Sequence, residues 1–259
     1  MYICSIANQK GGVGKTTTAH NLAMALVDMG KRVLLVDLDP QRNLTAAMGV
    51  GDNDDVTAFS ILDGSATMPE ATIALSDTLH FIPASKKLYD ADVAFATKVG
   101  RENLLRKSFT KANSNAAISY DYVLMDCPPN LGLVTVNAFC ASHGVLIPVQ
   151  CEYFGLLGID QILETMDVVK ENLNVHLSVL GIVFTFYDSR KKLNKDVVAR
   201  IDDDGYGFRF STKIRDAVAL AAAPSSRKSI FQHDGKSYGA QDYKNLALEF
   251  VDRVKAVEA

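Results

Sequence analysis

Short apolar runs alternate with longer amphipathic stretches along most of the chain. Runs of four apolar residues, as at Val33–Val36 and Tyr122–Met125, are typical of strands buried on both faces of a parallel sheet. Apolar residues three and four positions apart, as in 156–173, predict helices that pack one face on such a sheet. The predicted strands are 2–8, 33–36, 79–83, 122–125, 145–149 and 179–186. The predicted helices are 15–29, 43–49, 133–142, 156–173, 193–201 and 241–257.

Two stretches are harder to interpret. Residues 52–78 are acidic and polar, with only a weak helical pattern around Ala58–Leu62. Residues 86–115 show helical spacing, and five apolar side chains there are expected to point inward. These are Leu88, Val93, Leu104, Leu105 and Phe109.

The alternation of strands and helices predicts the fold class. It favours an α/β fold with a doubly wound, mostly parallel twisted sheet flanked by helices, in one domain over residues 1–259. Ligands of such sheets bind beyond the carboxyl ends of the strands. Three polar motifs, at 10–17, 37–41 and 126–129, follow predicted strands directly. We therefore expect them to meet at one edge of the sheet.

The first motif, Lys-Gly-Gly-Val-Gly-Lys-Thr-Thr at 10–17, joins a predicted strand to a predicted helix. Glycines let successive backbone N–H groups turn toward one anion, and the helix N-terminus adds partial positive charge. Lys15 can reach the β- and γ-phosphates of a nucleotide, and the Thr16 hydroxyl can bind Mg²⁺. The alternative is a ligand-free turn, which gives Lys15 and Thr16 no packing reason to follow it. The candidate nucleotide-binding residues are Lys10, Gly11, Gly12, Val13, Gly14, Lys15, Thr16 and Thr17.

Carboxylates end two other predicted strands. Asp126 follows four apolar residues, as in a Walker B strand, where it can hold Mg²⁺ opposite Thr16. Asp37 and Asp39 stand two positions apart, so their side chains point to the same side of an extended chain. One can order metal-bound water and the other can position the attacking water. The alternatives are turn-capping roles before Pro128 and at the Asp39–Pro40 step. Our candidate metal ligands are Thr16, Asp37 and Asp126, and Asp39 is a candidate catalytic residue.

Composition narrows the context. Apolar residues make up 48% of the chain, ample for a core, and the net charge of −3 does not by itself indicate a nucleic-acid partner. No apolar run approaches the length of a membrane span, and the first one is too short for a signal peptide. The four cysteines form no C-x-x-C motif, which favours buried thiols in a reducing cytoplasm.

The first motif departs from the usual G-x-x-x-x-G-K-[ST] spacing, because Gln9 stands at the first glycine and Lys10 follows it. It resembles, residue for residue, the K-G-G-x-G-K-[ST] loop, or deviant Walker A loop, of the ParA/MinD superfamily of P-loop ATPases. The resemblance implies ATP and Mg²⁺ as cofactors and hydrolysis of ATP to ADP and phosphate. It also implies that Asp39, in Asp-x-Asp-Pro-Gln, is needed for hydrolysis. Lys10 then reaches the phosphates of a second subunit and joins Lys15 and Asp39 as a catalytic candidate.

Further runs are similar to those of ParA partition ATPases of the short type, without an N-terminal helix-turn-helix. They are Asp126–Gly132, Asn137-Ala138, Pro148–Gln150, Glu152–Phe154, Phe184–Asp188, Ile214-Arg215, Ala223–Ser225 and Ser237–Tyr243. Two stretches depart from the family. Ala223–Ser229 replaces A-P-S-[FH]-G-[KR]-P, and Lys213-Ile214-Arg215 replaces I-P-R. In relatives the loop near Pro224 lies by the adenine, so Pro224 is a further nucleotide-binding candidate.

The resemblance implies an ATP-bound homodimer that binds DNA nonspecifically. A ParB-like partner would stimulate hydrolysis and so move plasmid or chromosome cargo along the nucleoid. Residues 186–228 hold ten Lys or Arg and six Asp, a net charge of +4 against −7 for the rest of the chain. Such a patch can hold phosphates without reading sequence, although an ordinary solvated face is the alternative. The candidate DNA-contact residues are Lys191, Lys192, Lys195, Lys213, Arg215, Arg227 and Lys228.

Three alternative functions share the loop. A MinD-like ATPase would lie on lipid through a basic amphipathic C-terminal helix, but residues 247–259 carry mixed charge, and we expect no membrane contact. A reductase like the nitrogenase iron protein would need paired cysteines, whereas Cys127 has no second cysteine in a glycine-rich loop. A ParA-type switch with a protein assembly as cargo stays open.

Overall fold

The computed structural model describes residues 1–51, 56–114, 119–203 and 206–258. Its strands are β1 Tyr2–Ile6, β2 Val33–Asp37, β3 Ile73–Ala74, β4 Leu79–Ile82, β5 Tyr122–Asp126, β6 Gly144–Gln150, β7 Ser178–Tyr187 and β8 Arg209–Arg215. Its α-helices are α1 Lys15–Asp28, α2 Asn43–Ala47, α3 Ala58–Asp63, α4 Met68–Ala71, α5 Ala91–Ala94, α6 Leu104–Ser114, α7 Leu133–Ala141, α8 Tyr153–Asn172, α9 Lys192–Asp203, α10 Val218–Ala222, α11 Ile230–Asp234 and α12 Tyr238–Glu258. Short 3₁₀ helices cover Lys86–Asp90, Arg101–Asn103 and Ala223–Ser226.

The eight strands form one sheet in the order β3-β4-β2-β5-β1-β6-β7-β8. Its neighbouring strands run parallel, except that β3 is antiparallel to β4. The register places Asp126 between Ile6 on one side and Asp37 on the other. The carboxyl ends of β1, β2 and β5 therefore lie side by side, as the sequence predicted.

Two hydrophobic layers enclose the sheet, because alternate residues of each strand point to opposite faces. Val33 and Leu35 of β2 face the layer that contains α1 and α12, while Leu34 and Val36 face the layer that contains α3 and α6–α9. A sheet covered on both faces needs apolar side chains at successive strand positions. The continuous apolar runs of the sequence meet that need, and the doubly wound α/β prediction is confirmed.

The last helix, α12, packs on the body of the protein. Leu246, Phe250 and Val254 are buried against β-strand residues such as Tyr2 and Tyr122. Both rings pack edge-on to Phe250. Among the described helices, none combines the length and the apolar character that crossing a bilayer requires.

Three features differ from the sequence prediction. Residues 56–74 hold two short helices and β3, where we saw only a weak helical pattern. Strand β8 was missed because this edge strand alternates, with Phe210 and Ile214 buried between polar neighbours. The inward position of Val93 was wrong: its side chain is 81% exposed, because α5 is a single turn whose neighbour Phe95 enters the core instead.

Candidate active site

The glycine-rich loop runs from the end of β1 to the start of α1 and is held in place by β7. Gly12 and Gly14 have φ values of 75° and 86°, a left-handed backbone that favours glycine. The Thr185 hydroxyl donates to the Val13 carbonyl at 2.9 Å, and the Val13 side chain is fully buried. Contacts with the rest of the protein therefore hold the shape of the loop before any ligand binds. Thr185 was not predicted as a loop-anchoring residue.

Lys15 is a buried lysine within a cluster of carboxylates. Its ammonium donates to the Lys10 carbonyl at 3.1 Å, and only 7% of the residue is exposed. Burial lowers the pKa of Lys15, and the nearby charges of Asp126 and Asp39 partly offset that fall. Such a cation can turn to an anion that enters the loop.

Asp37 and Asp39 have different partners despite their spacing. Asp37 is fully buried, with Oδ2 accepting from the Thr45 amide at 2.8 Å and the Thr45 hydroxyl at 2.7 Å, and Oδ1 from the Asp39 amide at 3.0 Å. Among the described residues, Asp39 Oδ1 accepts from the Gln41 amide alone, at 2.9 Å. Both Asp37 oxygens are thus engaged by the chain, so Asp37 ties α2 to the loop that carries Asp39. Sequence reasoning missed Thr45, which approaches Asp37 through α2.

Asp126 is the unusual carboxylate of the cluster. It is fully buried, and neither of its oxygens has a hydrogen-bond partner among the described residues. Burial raises the pKa of Asp126 strongly and the charge of Asp37 raises it further, while the Thr16 hydroxyl and Lys15 act in the opposite direction. A buried carboxylate without partners is costly unless a cation or donor completes it.

Mg²⁺ fits this arrangement. Magnesium is usually held by one or two carboxylates together with hydroxyl, water and substrate phosphates rather than by an all-protein cage. Thr16 and Asp126 supply one hydroxyl and one carboxylate, and no group of three or more His, Cys, Asp or Glu within the described residues forms a cage. The two Asp126 oxygens without hydrogen-bond partners therefore suit a metal ion that binds together with a nucleotide. The oxygens of Asp37, the third predicted metal ligand, already accept hydrogen bonds from Asp39 and Thr45.

Lys10 stands apart from Lys15. Its amide donates to Asn8 Oδ1 at 2.9 Å, while its ammonium forms an ion pair with Glu152 at 3.2 Å. The two side chains are 32% and 52% exposed. The Lys10 ammonium thus lies at the surface of the loop, within reach of a second molecule. Sequence analysis gave no role to Glu152.

Two cavities flank Thr17. One, of about 160 Å³, has largely apolar walls that include Phe186, Ile214, Leu220 and Tyr243, as a planar base requires. The other, of about 370 Å³, is lined by more polar residues, among them Thr16, His20, Asn43 and Lys228, and by Pro224. Pro224, predicted beside the adenine, lines this larger cavity and not the smaller one. The run that ends β7 contains Phe186 and was recognised as family-like, but its part in a pocket was not predicted.

The predicted DNA-contact residues fall into two groups. Lys191, Lys192, Lys195, Arg227 and Lys228 are exposed and form no ion pair within the described part of the chain. Because these five residues share exposure and positive charge, we call them together the basic strip.

Lys213 and Arg215 make the second group. Arg215 forms a forked ion pair with the buried Asp242, at 2.6 Å for the shortest contact, and stacks on Tyr238 at 4.3 Å. The Lys213 ammonium lies 5.3 Å from the ring centre of Tyr187. The charge of Arg215 is therefore already neutralised within the chain, whereas the basic strip keeps its positive charge.

Comparison with known proteins identifies the family. Residues 1–179 match the model of a family described as an AAA domain. The chain is 40% identical to the sporulation initiation inhibitor protein Soj of Bacillus subtilis (strain 168), covering 95% of this chain and 97% of that protein. It is 43% identical to the chromosome-partitioning ATPase Soj of Thermus thermophilus, covering 97% and 96%. A crystal structure named cobyrinic acid a,c-diamide synthase, from Mycobacterium smegmatis with bound ADP and magnesium, has a TM-score of 0.85 at 32% identity, covering 99% and 96%.

Proposed function

This chain belongs to the ParA-type P-loop ATPases, and from that membership we propose a partition ATPase whose ATP-bound form is a homodimer that holds DNA. The protein is an ATPase with ATP and Mg²⁺ as cofactors. The chromosome-partitioning ATPase Soj, at 43% identity, is nearer in sequence than the mycobacterial structure at 32%, which favours the partition role. The observation that carries the proposal is the buried Asp126 carboxylate, unpaired beside Thr16 and Lys15.

The residues at the carboxyl ends of β1, β2 and β5 have different roles in ATP hydrolysis. Thr16 and Asp126 would hold Mg²⁺, which neutralises charge on the β- and γ-phosphates. The backbone amides of residues 11–17 cradle the phosphates, and Lys15 leaves the Lys10 carbonyl to contact them. Asp39 keeps one carboxylate oxygen without a partner among the described residues, and that oxygen orients the attacking water. The cost of burying these charges is offset only when nucleotide and metal are present.

The base would occupy the apolar cavity beside Thr17. Phe186 and Ile214 offer flat apolar contact, and the cavity volume of about 160 Å³ suits one ring system. Pro224 then lies on the sugar side, in the larger cavity. On this proposal Pro224 is near the nucleotide, but not against its base.

The homodimer would place Lys10 on the nucleotide of the second subunit. Its ammonium is at the surface in an exposed ion pair, which is worth only about 0.2–1 kcal/mol and does not prevent its release. A cation that approaches the transferred phosphate in trans raises turnover by about 10³–10⁵ in systems that use an arginine for this purpose. Lys10 would therefore couple hydrolysis to dimerisation.

The dimer would bind DNA through the basic strip, and a ParB-like protein would stimulate hydrolysis and release it. Contacts from five exposed cations give salt-dependent, sequence-independent affinity. We propose that the whole chain, residues 1–259, acts as one domain in the cytoplasm on the nucleoid. A protein assembly in place of DNA cargo is the alternative that this mechanism also accommodates.

Replacing Asp39 tests the hydrolysis mechanism. Asp39→Ala is expected to reduce ATP turnover at least about 100-fold, because it removes the water-orienting carboxylate, while ATP affinity stays within about threefold of the unmodified protein. Phosphate release and equilibrium ATP binding measure the two effects. The matched control is Asp167→Ala, an exposed acid on α8. Normal turnover by Asp39→Ala would refute the assignment.

A further inference from the structure

The 3₁₀ turn at 86–90 and α5, which follows it, lie between the two loops that carry Asp39 and Asp126. The segment leaves the carboxyl end of β4, at the same edge of the sheet as the candidate active site. It is fixed in the core by Leu88 and Ala91, and the buried Ser85 hydroxyl accepts from the Lys87 amide at 3.2 Å to start the turn. A segment anchored in the core thus lies beside the candidate active site, next to the loop that follows β2.

Tyr89 connects this segment to the Asp39 loop. The side-chain amide of Gln41 donates to the Tyr89 hydroxyl, while the backbone amide of Gln41 donates to Asp39 Oδ1 at 2.9 Å. Gln41 therefore contacts the proposed water-orienting carboxylate with its backbone and the segment with its side chain. A displacement of Tyr89 would therefore be transmitted to Asp39 through Gln41 alone.

Asp92 connects the same segment to the Asp126 loop. Its Oδ1 accepts from the Leu133 amide at 3.1 Å, so a carboxylate sits at the N-terminus of α7, where the helix dipole favours negative charge. A Cβ atom at Gly132 would stand 2.9 Å from Asp92 Oδ2, so only glycine allows this approach without displacement. Only five residues separate Asp126 from Gly132, and the Thr135 hydroxyl also donates to the Asn130 carbonyl at 2.6 Å.

We propose that Tyr89 and Asp92 form a brace that holds the Asp39 loop and the Asp126 loop at a fixed separation. Neither residue belongs to the phosphate loop or the carboxylate cluster, so both are positioning residues. Their effect acts through Gln41 on the water-orienting acid and through Leu133 on the metal-holding acid. The brace rests on the proposed function, because it presumes that Asp39 and Asp126 act on one nucleotide. A misplacement of about 1 Å can cost about 100-fold in rate, so a loosened brace should slow hydrolysis more than it weakens binding.

The test compares variants of two acids of the same segment, Asp92 and Asp90, in the full chain. Asp92→Ala removes the acceptor for Leu133, and we expect kcat for basal ATP hydrolysis to fall about tenfold while KM changes less than about twofold. Asp92→Asn keeps an oxygen at that position and should recover kcat to within about threefold of the unmodified protein. Asp90→Ala is the matched control, because Asp90 is exposed and its side chain caps nothing in α5. Tyr89→Phe, which removes one hydroxyl, should lower kcat about threefold.

The double variant tests whether the two contacts belong to one brace. Tyr89→Phe with Asp92→Ala should lose less than the product of the single effects, because either change alone already frees the loops. An unchanged kcat in Asp92→Ala, or a strictly multiplicative double variant, would overturn the brace. An equal loss of kcat, ATP affinity and melting temperature would also overturn it, since that pattern indicates general destabilisation. The assay uses basal turnover alone, so failure of DNA binding or dimerisation would refute the proposed partition mechanism and leave the brace standing.

Discussion

The active-site edge and the basic strip hold their charges in opposite ways. At the edge, Lys15, Asp37 and Asp126 are buried side by side, and the Asp126 carboxylate is left without a partner among the described residues. In the strip, Lys191 and Lys192 stand in solvent at the start of α9. Buried charge is costly and persists where a ligand will compensate it, whereas exposed charge costs little and identifies a partner only weakly. The edge therefore specifies its ligand, and the strip specifies only the sign of its ligand's charge.

The largest effect is expected where the edge depends on a second molecule. Lys10→Ala should lower partner-stimulated ATP turnover by about 10³-fold, because the cation supplied in trans is lost. ATP binding by the monomer should change little, since the Lys10 side chain contacts only Glu152 in the described chain. Turnover with DNA and partner, set beside equilibrium ATP binding, separates the two. Full stimulated turnover by Lys10→Ala would show that the edge is complete within one subunit.

The basic strip should respond to charge alone. Lys191→Glu with Lys192→Glu is expected to weaken DNA binding about 100-fold at low salt, and each lost phosphate contact should reduce the slope of log K against log salt by about 0.9. Lys107→Glu with Lys111→Glu makes the same change of net charge on α6 and is the matched control. We leave Arg215 unchanged, because reversing its charge would leave the buried Asp242 carboxylate without its ion-pair partner. Equal loss in both double variants would mean that net charge, not the strip, drives binding.

Acidity should affect the edge more than the strip. Burial raises the pKa values of Asp37 and Asp126, and the charge of Asp37 raises that of Asp126 further, so the folded protein without ligand holds a proton that the unfolded chain releases at lower pH. Stability from these acids is present at low pH and is lost as pH rises through their raised pKa values. One pKa unit is worth about 1.4 kcal/mol, which corresponds to a few degrees in melting temperature.

The measurement is a melting-temperature series from pH 5 to pH 8, with and without Mg²⁺ and ATP. We expect the ligand-free protein to melt lower at the alkaline end, and the ligands to stabilise it most there. Asp126→Asn should flatten both trends, because an amide does not ionise. A series that Asp126→Asn leaves unchanged would place the titration elsewhere.

The smallest effect concerns the ion pair at the surface of the loop. Glu152→Gln should strengthen ATP-dependent dimerisation by no more than about fivefold, because it releases Lys10 from an exposed pair worth about 0.2–1 kcal/mol. Glu164→Gln, an exposed acid on α8, is the control. Sedimentation of both variants with ATP measures the shift. A much larger strengthening of dimerisation would mean that the ion pair with Glu152 holds Lys10 back from the second subunit. Weaker dimerisation would mean that Glu152 itself contributes to the dimer interface.

The edge was more predictable from the sequence than the strip, for a physical reason. Lys15 and Thr16 directly after a glycine-rich turn suit a phosphate and its metal, and parallel strands bring such motifs together. The pairing of Arg215 with Asp242 joins residues 27 positions apart, so a count of cations cannot reveal it. The contact of Asp92 with the α7 backbone spans 41 positions. Such pairings depend on how the elements pack against one another, which hydrophobic periodicity does not determine.

The central claim is that two subunits share the site and that only the shared form holds DNA. Light scattering of Asp39→Ala with Mg²⁺ and ATP, with and without DNA, tests both parts at once. The account predicts a monomer with ADP, a dimer with ATP, and a complex with DNA that forms only when ATP is present. A protein that binds ATP yet stays monomeric, or one that binds DNA equally well with ADP, would contradict it.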